Sequence, residues 1–180
     1  MDLAGFIRDV PDFPKPGILF KDITPLLAHP PAFKEAIRLL VDHYRGRPID
    51  AIAAAEARGF LFAAPLALEM NKPLVPLRKP GKLPYQTHKL QYDLEYGSAE
   101  LHVHTDGFEP RANVLLVDDL LATGGTLEAA CKLIVQAGAK VASCAVLVEL
   151  LFLKGREKLQ PHELVQIVAI MTMTPEEIAA

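Results

Sequence analysis

Val114-Leu115-Leu116-Val117-Asp118-Asp119-Leu120-Leu121-Ala122-Thr123-Gly124-Gly125-Thr126 consists of four apolar residues, two acids and a small-residue loop that opens a helix. Strand, loop and helix therefore meet at one point. In open α/β sheets ligands bind outside the carboxyl ends of the strands, where backbone N–H groups and a helix N-terminus form a ready site for a phosphate. Ala122, Thr123, Gly124, Gly125 and Thr126 are the expected cradle. The two glycines let the backbone come close, and Thr123 and Thr126 add hydroxyl donors or else cap the helix.

Two carboxylates beside a phosphate cradle would repel the phosphate unless they had partners of their own. Ionised Asp118 and Asp119 are acceptors only, and each can take the O–H donors of a 2′,3′ diol while the cradle holds a 5′-phosphate. The implied ligand is ribose 5-phosphate. A nucleoside-triphosphate loop is excluded because Gly-Lys-Ser/Thr is missing, and a dinucleotide fingerprint because the glycines are adjacent rather than spaced.

Outward from this segment, the pattern is that of a parallel α/β sheet. Phe33, Ile37, Leu40, Val41 and Tyr44 share one face of a helix closed by Gly46 and Pro48. Short buried strands are expected at Ala51–Ala55, Leu74–Leu77, Asn113–Val117 and Val141–Val148, with helices at Gly59–Met70 and Thr126–Ala137. Leu101 and Val103 alternate with His102 and His104, which predicts a strand with its histidines in solvent. The Pro- and Gly-rich first thirty residues and a last strand over Leu164–Met171 are expected to form a small cap.

At 180 residues the chain is about one domain long, and 51% hydrophobic with 23% charged residues is the balance of a globular protein rather than a disordered one. The longest run without Asp, Glu, Lys or Arg, Leu164 to Pro175, falls short of the ~20 residues that span a bilayer, so no membrane span is expected. The start MDLAGFIRDV lacks the basic and apolar regions of an export signal, which makes the cytoplasm the expected compartment. A net charge of −3 gives no general field for nucleic acid. Cys131 and Cys144 lack CxxC spacing and are expected as small buried side chains.

The motif VLLVDDLLATGGT resembles the phosphoribosyl-diphosphate site of type I phosphoribosyltransferases, in the version of the branch that uses adenine. Pro11 to Gly17 with Phe20 to Ile23, Arg58-Gly59-Phe60, Arg78 to Pro84, Leu94-Glu95-Tyr96-Gly97 and Leu153-Lys154-Gly155-Arg156 extend the match over nearly the whole chain in family order. The resemblance implies the type I phosphoribosyltransferase-like fold, a parallel sheet flanked by helices with a small cap, or hood, and a flexible lid loop, in a single domain over residues 1–180. It implies the reaction of adenine with 5-phosphoribosyl 1-diphosphate to give AMP and diphosphate, part of purine salvage. Mg²⁺ bound mainly through the substrate diphosphate and a homodimer belong to the same implication. No protein metal ligand is expected, since magnesium keeps much of its water and commonly binds through phosphates.

Carried onto this chain, the resemblance places the diphosphate on Arg58, Arg78, Lys79 and Lys82, which otherwise form a solvated basic loop. The polar run Pro80–Glu95 becomes a lid that excludes water, with Glu95 and Arg58 as catalytic candidates. Glu95 would relay the adenine proton or stabilise cationic ribose. Adenine would be read by main-chain atoms at Leu19 and Lys21, between Phe20 and Leu150. Lys21 stands where most relatives carry arginine, and a lysine does not reproduce a planar fork. Two other readings stay open: a regulatory protein that kept the site without catalysis, and the same transfer onto hypoxanthine, xanthine or orotate. A regulator would need a nucleic-acid-binding addition, and none is visible because the match uses all 180 residues.

Overall fold

The computed structural model describes residues 1–93, 98–159 and 166–174. Its elements in chain order are β1 (Arg8–Pro11), β2 (Leu19–Asp22), α1 (Thr24–Leu27), α2 (Pro30–Tyr44), β3 (Ala51–Ala55), α3 (Gly59–Met70), β4 (Leu74–Leu77), β5 (Thr87–Asp93), β6 (Ser98–His104), β7 (Asn113–Leu121), α4 (Gly125–Gln136), β8 (Lys140–Leu150), α5 (Gly155–Leu159) and β9 (Gln166–Met173). β3, α3 and β4 have the bounds expected from sequence, because turn residues bracket each of them.

Five strands form one parallel sheet in the order β4-β3-β7-β8-β9. From β3 the chain steps outward to β4, returns to β7 on the other side of β3, and continues away through β8 and β9. β3 and β7 therefore flank the point where strand order reverses, the place where ligands enter such sheets. Period-two alternation then divides the core between the two faces. Ile52, Ala54, Leu115 and Val117 pack under α2 and α3 with Leu40, Phe62 and Leu66. Ala51, Ala53, Val114 and Leu116 pack against α4 with Leu133 and Ile134. Tyr44, fully buried, ties α2 to β8 through a 2.7 Å hydrogen bond with Ser143. Cys131 and Cys144 are buried and unlinked, as expected, with 3.8 Å between their sulfurs.

Four expectations are corrected. The strand expected to stop at Val117 runs on to Leu121, because β8 continues to pair with it through Leu121 opposite Glu149 after its pairing with β3 has stopped at Ala54 opposite Val117. The last strand, expected in a cap, is instead the edge of the main sheet, where β9 pairs in parallel with β8. The polar run expected as a lid loop contains β5, which pairs antiparallel with β6 and places Leu90 and Tyr92 against the α4 side of the core. His102 and His104 are not solvated. His102 lies between Glu100 and Thr87, and Nε2 of His104 is buried without a hydrogen bond.

The first thirty residues do contain a separate small unit, the antiparallel pair β1–β2, with Asp9 opposite Lys21. It faces the carboxyl ends of β7 and β8 across the cleft described next.

Candidate active site

Two adjoining clefts open at the carboxyl ends of the sheet. The first, of about 460 Å³, is lined by Glu56 to Arg58 after β3, by Asp118 to Leu127 along the end of β7 and the start of α4, and by Lys158 of α5. The second, of about 640 Å³, lies under the β1–β2 hairpin and is lined by Leu19, Phe20, Lys21 and Leu150, with Leu120, Ala122 and Thr123 shared between the two. One cleft is rich in charge and backbone N–H groups. The other is mostly apolar.

The cradle takes its shape from contact between two glycines. Gly124 caps α4 with φ at +83°, a conformation that strains any side chain, and a Cβ there would sit 2.5 Å from the Gly155 carbonyl oxygen. A Cβ on Gly155 would lie 2.2 Å from the Ala122 carbonyl oxygen and 2.6 Å from Leu121 Cδ1. The loop from Ala122 to Gly125 is thus pressed against the start of α5 with no room for a methyl group. Gly155→Ala is expected to cost ~1–3 kcal/mol of stability through overpacking. Urea unfolding checks this, and a loss below about 0.5 kcal/mol, the range of an ordinary surface change, would mean that the contact is loose.

Asp118 and Asp119 stand on β7, and their charge state is set by burial. Asp119 is 3% exposed. Burial, with Asp119 beside it, pushes the Asp118 carboxyl well above the ordinary carboxylate range. Burial raises Asp119 as well, against the pull of Arg58. Arg58 Nε lies 3.0 Å from Asp119 Oδ2, close enough for an ion pair, yet that oxygen is buried and receives no hydrogen bond, because the N–H is not aimed at it. The site thus holds a buried acceptor without a donor, which is costly unless a ligand supplies one. The other side of the Arg58 guanidinium sits 5.1 Å from the Phe20 ring centroid, at the junction of the two clefts.

The structure brings Arg58, Asp118, Asp119 and the cradle Ala122–Thr126 into one cleft, and Leu19, Phe20, Lys21 and Leu150 into the other. Lys21 is 3% exposed, and its Nζ pairs with Asp9 across the hairpin at 2.5 Å. Its side chain acts as a cross-strand tie. The remaining candidates lie outside these clefts. Arg78 Nε donates to Glu56 at 2.8 Å, Lys79 lines a separate cleft with Tyr92 and Glu100, and Lys82 is exposed on the turn before β5, its carbonyl accepting from Arg78 at 3.3 Å. Glu95, with Leu94, Tyr96 and Gly97, lies outside the described residues. Sequence reasoning missed Glu56 and Lys158, for neither belongs to a recognisable motif. Glu56 follows directly on the strand that ends at the site, which is a usable signal, whereas only tertiary structure brings Lys158 there.

Residues 22–174 match the phosphoribosyl transferase domain family. Adenine phosphoribosyltransferase of Roseiflexus castenholzii is 56% identical over 159 residues, 88% of this chain and 92% of the relative. The chain belongs to the adenine phosphoribosyltransferase family. The family's fold accounts for the whole architecture: the crystal structure of adenine phosphoribosyltransferase from Thermoanaerobacter pseudethanolicus superposes with a TM-score of 0.91 at 48% identity, covering 96% of this chain and 98% of that one. Adenine phosphoribosyltransferase from Saccharomyces cerevisiae, solved with an imino-altritol bisphosphate and adenine, superposes with a TM-score of 0.86 at 37% identity, covering 94% and 96% of the two chains. Among the described residues, no helix is long and apolar enough to cross a membrane.

Proposed function

We propose that the protein transfers the 5-phosphoribosyl group from 5-phosphoribosyl 1-diphosphate to adenine, giving AMP and diphosphate. The observation that carries this reading is the buried, donor-less oxygen of Asp119 beside Asp118, next to a phosphate cradle and open to an apolar cleft. A ribose diol supplies the missing donors, the cradle takes the 5′-phosphate, and C1′ is left facing the hairpin cleft that the base enters. The yeast relative, crystallised with adenine and a bisphosphate, supports the pairing of these two ligand classes.

In this reading the C1′–O bond to diphosphate breaks and a C1′–N9 bond to adenine forms, with the N9 proton leaving the base. Positive charge builds on the ribose and negative charge on the leaving group, so the protein's contribution is mainly electrostatic. Asp118 and Asp119 hold the diol and stabilise a cationic sugar ring. Arg58 turns from Asp119 to the departing diphosphate, joined by Arg78, Lys79 and Lys82 from the segment between β4 and β5, and Glu95 takes the proton or stabilises the ring. Main-chain atoms of Leu19 and Lys21 read the adenine edge, with Phe20 and Leu150 as apolar walls. Magnesium, carried in on the substrate diphosphate rather than on protein ligands, would supply charge that offsets the leaving group. Among the described residues no three His, Cys, Asp or Glu side chains are grouped to hold an ion.

We further propose a homodimer in the cytoplasm, as one domain over residues 1–180. The unlinked Cys131–Cys144 contact suits a reducing compartment. Sedimentation at micromolar concentration checks the dimer.

The deciding experiment follows diphosphate release from purified protein with adenine, phosphoribosyl diphosphate and magnesium. AMP formation is expected, and a protein that binds phosphoribosyl diphosphate without turnover would be a regulator instead. For the segment between β4 and β5, Lys82→Ala is expected to weaken phosphoribosyl diphosphate and diphosphate by roughly tenfold, with AMP little changed, because AMP lacks the group that these cations hold. Calorimetry showing equal loss for all three ligands would reduce Lys82 to general anion attraction.

A further inference from the structure

The cradle Ala122–Thr126 offers the 5′-phosphate only backbone N–H groups and the hydroxyls of Thr123 and Thr126. The same cleft holds Asp118, Asp119 and Glu56. A phosphate monoester carries about −1.5 to −2 near pH 7, so a cradle flanked by carboxylates calls for a cation on its own side. Arg58 does not fill this need, since it stands between Asp119 and Phe20. The other cation lining the cleft is Lys158.

Lys158 lies on α5, whose position is fixed by three contacts. Gly155 at its start abuts Ala122 and Gly124 of the cradle. Leu159 at its end is 2% exposed in the α4-side core. Between them, Arg156 donates to both oxygens of Glu149 at 2.6 Å each and to the Ile167 carbonyl at 2.9 Å. Glu149 is buried on β8 directly opposite Leu121, the last residue of β7 before the cradle. The bidentate pair therefore straps α5 to the strand end from which the cradle springs. Among the described residues Lys158 has no ion-pair partner, whereas its neighbours Lys154 and Glu157 pair with each other at 3.8 Å. Its charge is left for a ligand.

We infer that Lys158 binds the 5′-phosphate, and that Glu149 and Arg156 are positioning residues holding α5 where Lys158 reaches the cradle. The inference rests on the phosphoribosyl reading of the cleft. The 5′-phosphate does not change in the reaction, so its binding is equal in ground and transition states and Lys158 acts on KM rather than kcat.

The test is calorimetry with ribose 5-phosphate, AMP and inorganic diphosphate on the wild type, Lys158→Met and Lys158→Arg, with steady-state kinetics alongside. Lys158→Met is expected to weaken ribose 5-phosphate and AMP by roughly tenfold and to raise KM for phosphoribosyl diphosphate to match. Diphosphate affinity, kcat and the thermal midpoint should stay within about twofold or a degree of wild type, as for a surface change. Lys158→Arg, which keeps the charge, should recover most of the affinity. Arg156→Lys loses the fork and should show the same ligand pattern as Lys158→Met in weaker form. Unchanged ribose 5-phosphate binding in Lys158→Met would overturn the assignment, and so would a loss shared equally by diphosphate. A wild type that binds ribose 5-phosphate through Lys158 yet makes no AMP would overturn the proposed reaction and uphold the assignment of Lys158.

Discussion

Asp118→Asn combined with Asp119→Asn is expected to lower kcat/KM for phosphoribosyl diphosphate by ~10²–10⁴. Each carboxylate accepts a charge-assisted hydrogen bond from the ribose diol, worth ~1.5–3 kcal/mol, and two of them together account for that range. The fold should not suffer. Asp118 Oδ1 accepts from the Asp119 amide at 2.9 Å, and an asparagine oxygen can accept the same bond. The sign of the pH effect also favours the variant. Both carboxyls are raised above their ordinary range by burial, so the wild type loses stability as pH rises from the unfolded carboxyl value through the raised one. An amide does not titrate, and near neutral pH the variant should unfold at the same temperature or higher. A double variant keeping more than about a tenth of wild-type turnover, a loss under ~1.4 kcal/mol in barrier, would remove the diol assignment.

Base choice should be as pronounced. Adenine is expected to exceed hypoxanthine, guanine and xanthine in kcat/KM by ~10⁴ or more, because a 6-oxo group presents an acceptor where the hairpin main chain expects a donor. Shape alone supplies only ~10 to 200-fold. Lys21→Ala should keep this preference while lowering the rate, since the Lys21 side chain is occupied with Asp9 and serves the base by holding the hairpin in register. Comparable values for adenine and hypoxanthine in the wild type would falsify the main-chain reading.

Legibility in the sequence followed the range of the interactions involved. The cradle and the two acids were readable because strand, acids, glycines and helix are contiguous, and α3 between β3 and β4 was bracketed by its own turn residues. The end of β7 was not, because acids read as a loop until a neighbouring strand is known to keep pairing with them, and that neighbour, β8, lies beyond a helix. β5 hid in the same way. Its Leu90 and Tyr92 alternate weakly among polar residues, and only the pairing with β6 makes it a strand. Lys21 and Lys158 mark the limit. A lysine's sequence neighbours do not say whether it meets Asp9 across a hairpin or a cradle formed more than thirty residues earlier.

The unequal lengths of β3 and β7 have a mechanical consequence. Beyond Val117 the strand carrying Asp118 to Leu121 is held on one flank by β8 and on the other faces the notch where pairing with β3 has stopped. That flank makes no strand pairing, so amide exchange there is expected to be less protected than over Val114–Val117, which pair on both sides. A ligand that reaches from the two aspartates across to Arg58 fills the notch as another strand would. Binding there adds contacts along the open flank of β7 and stabilises the folded chain by mass action.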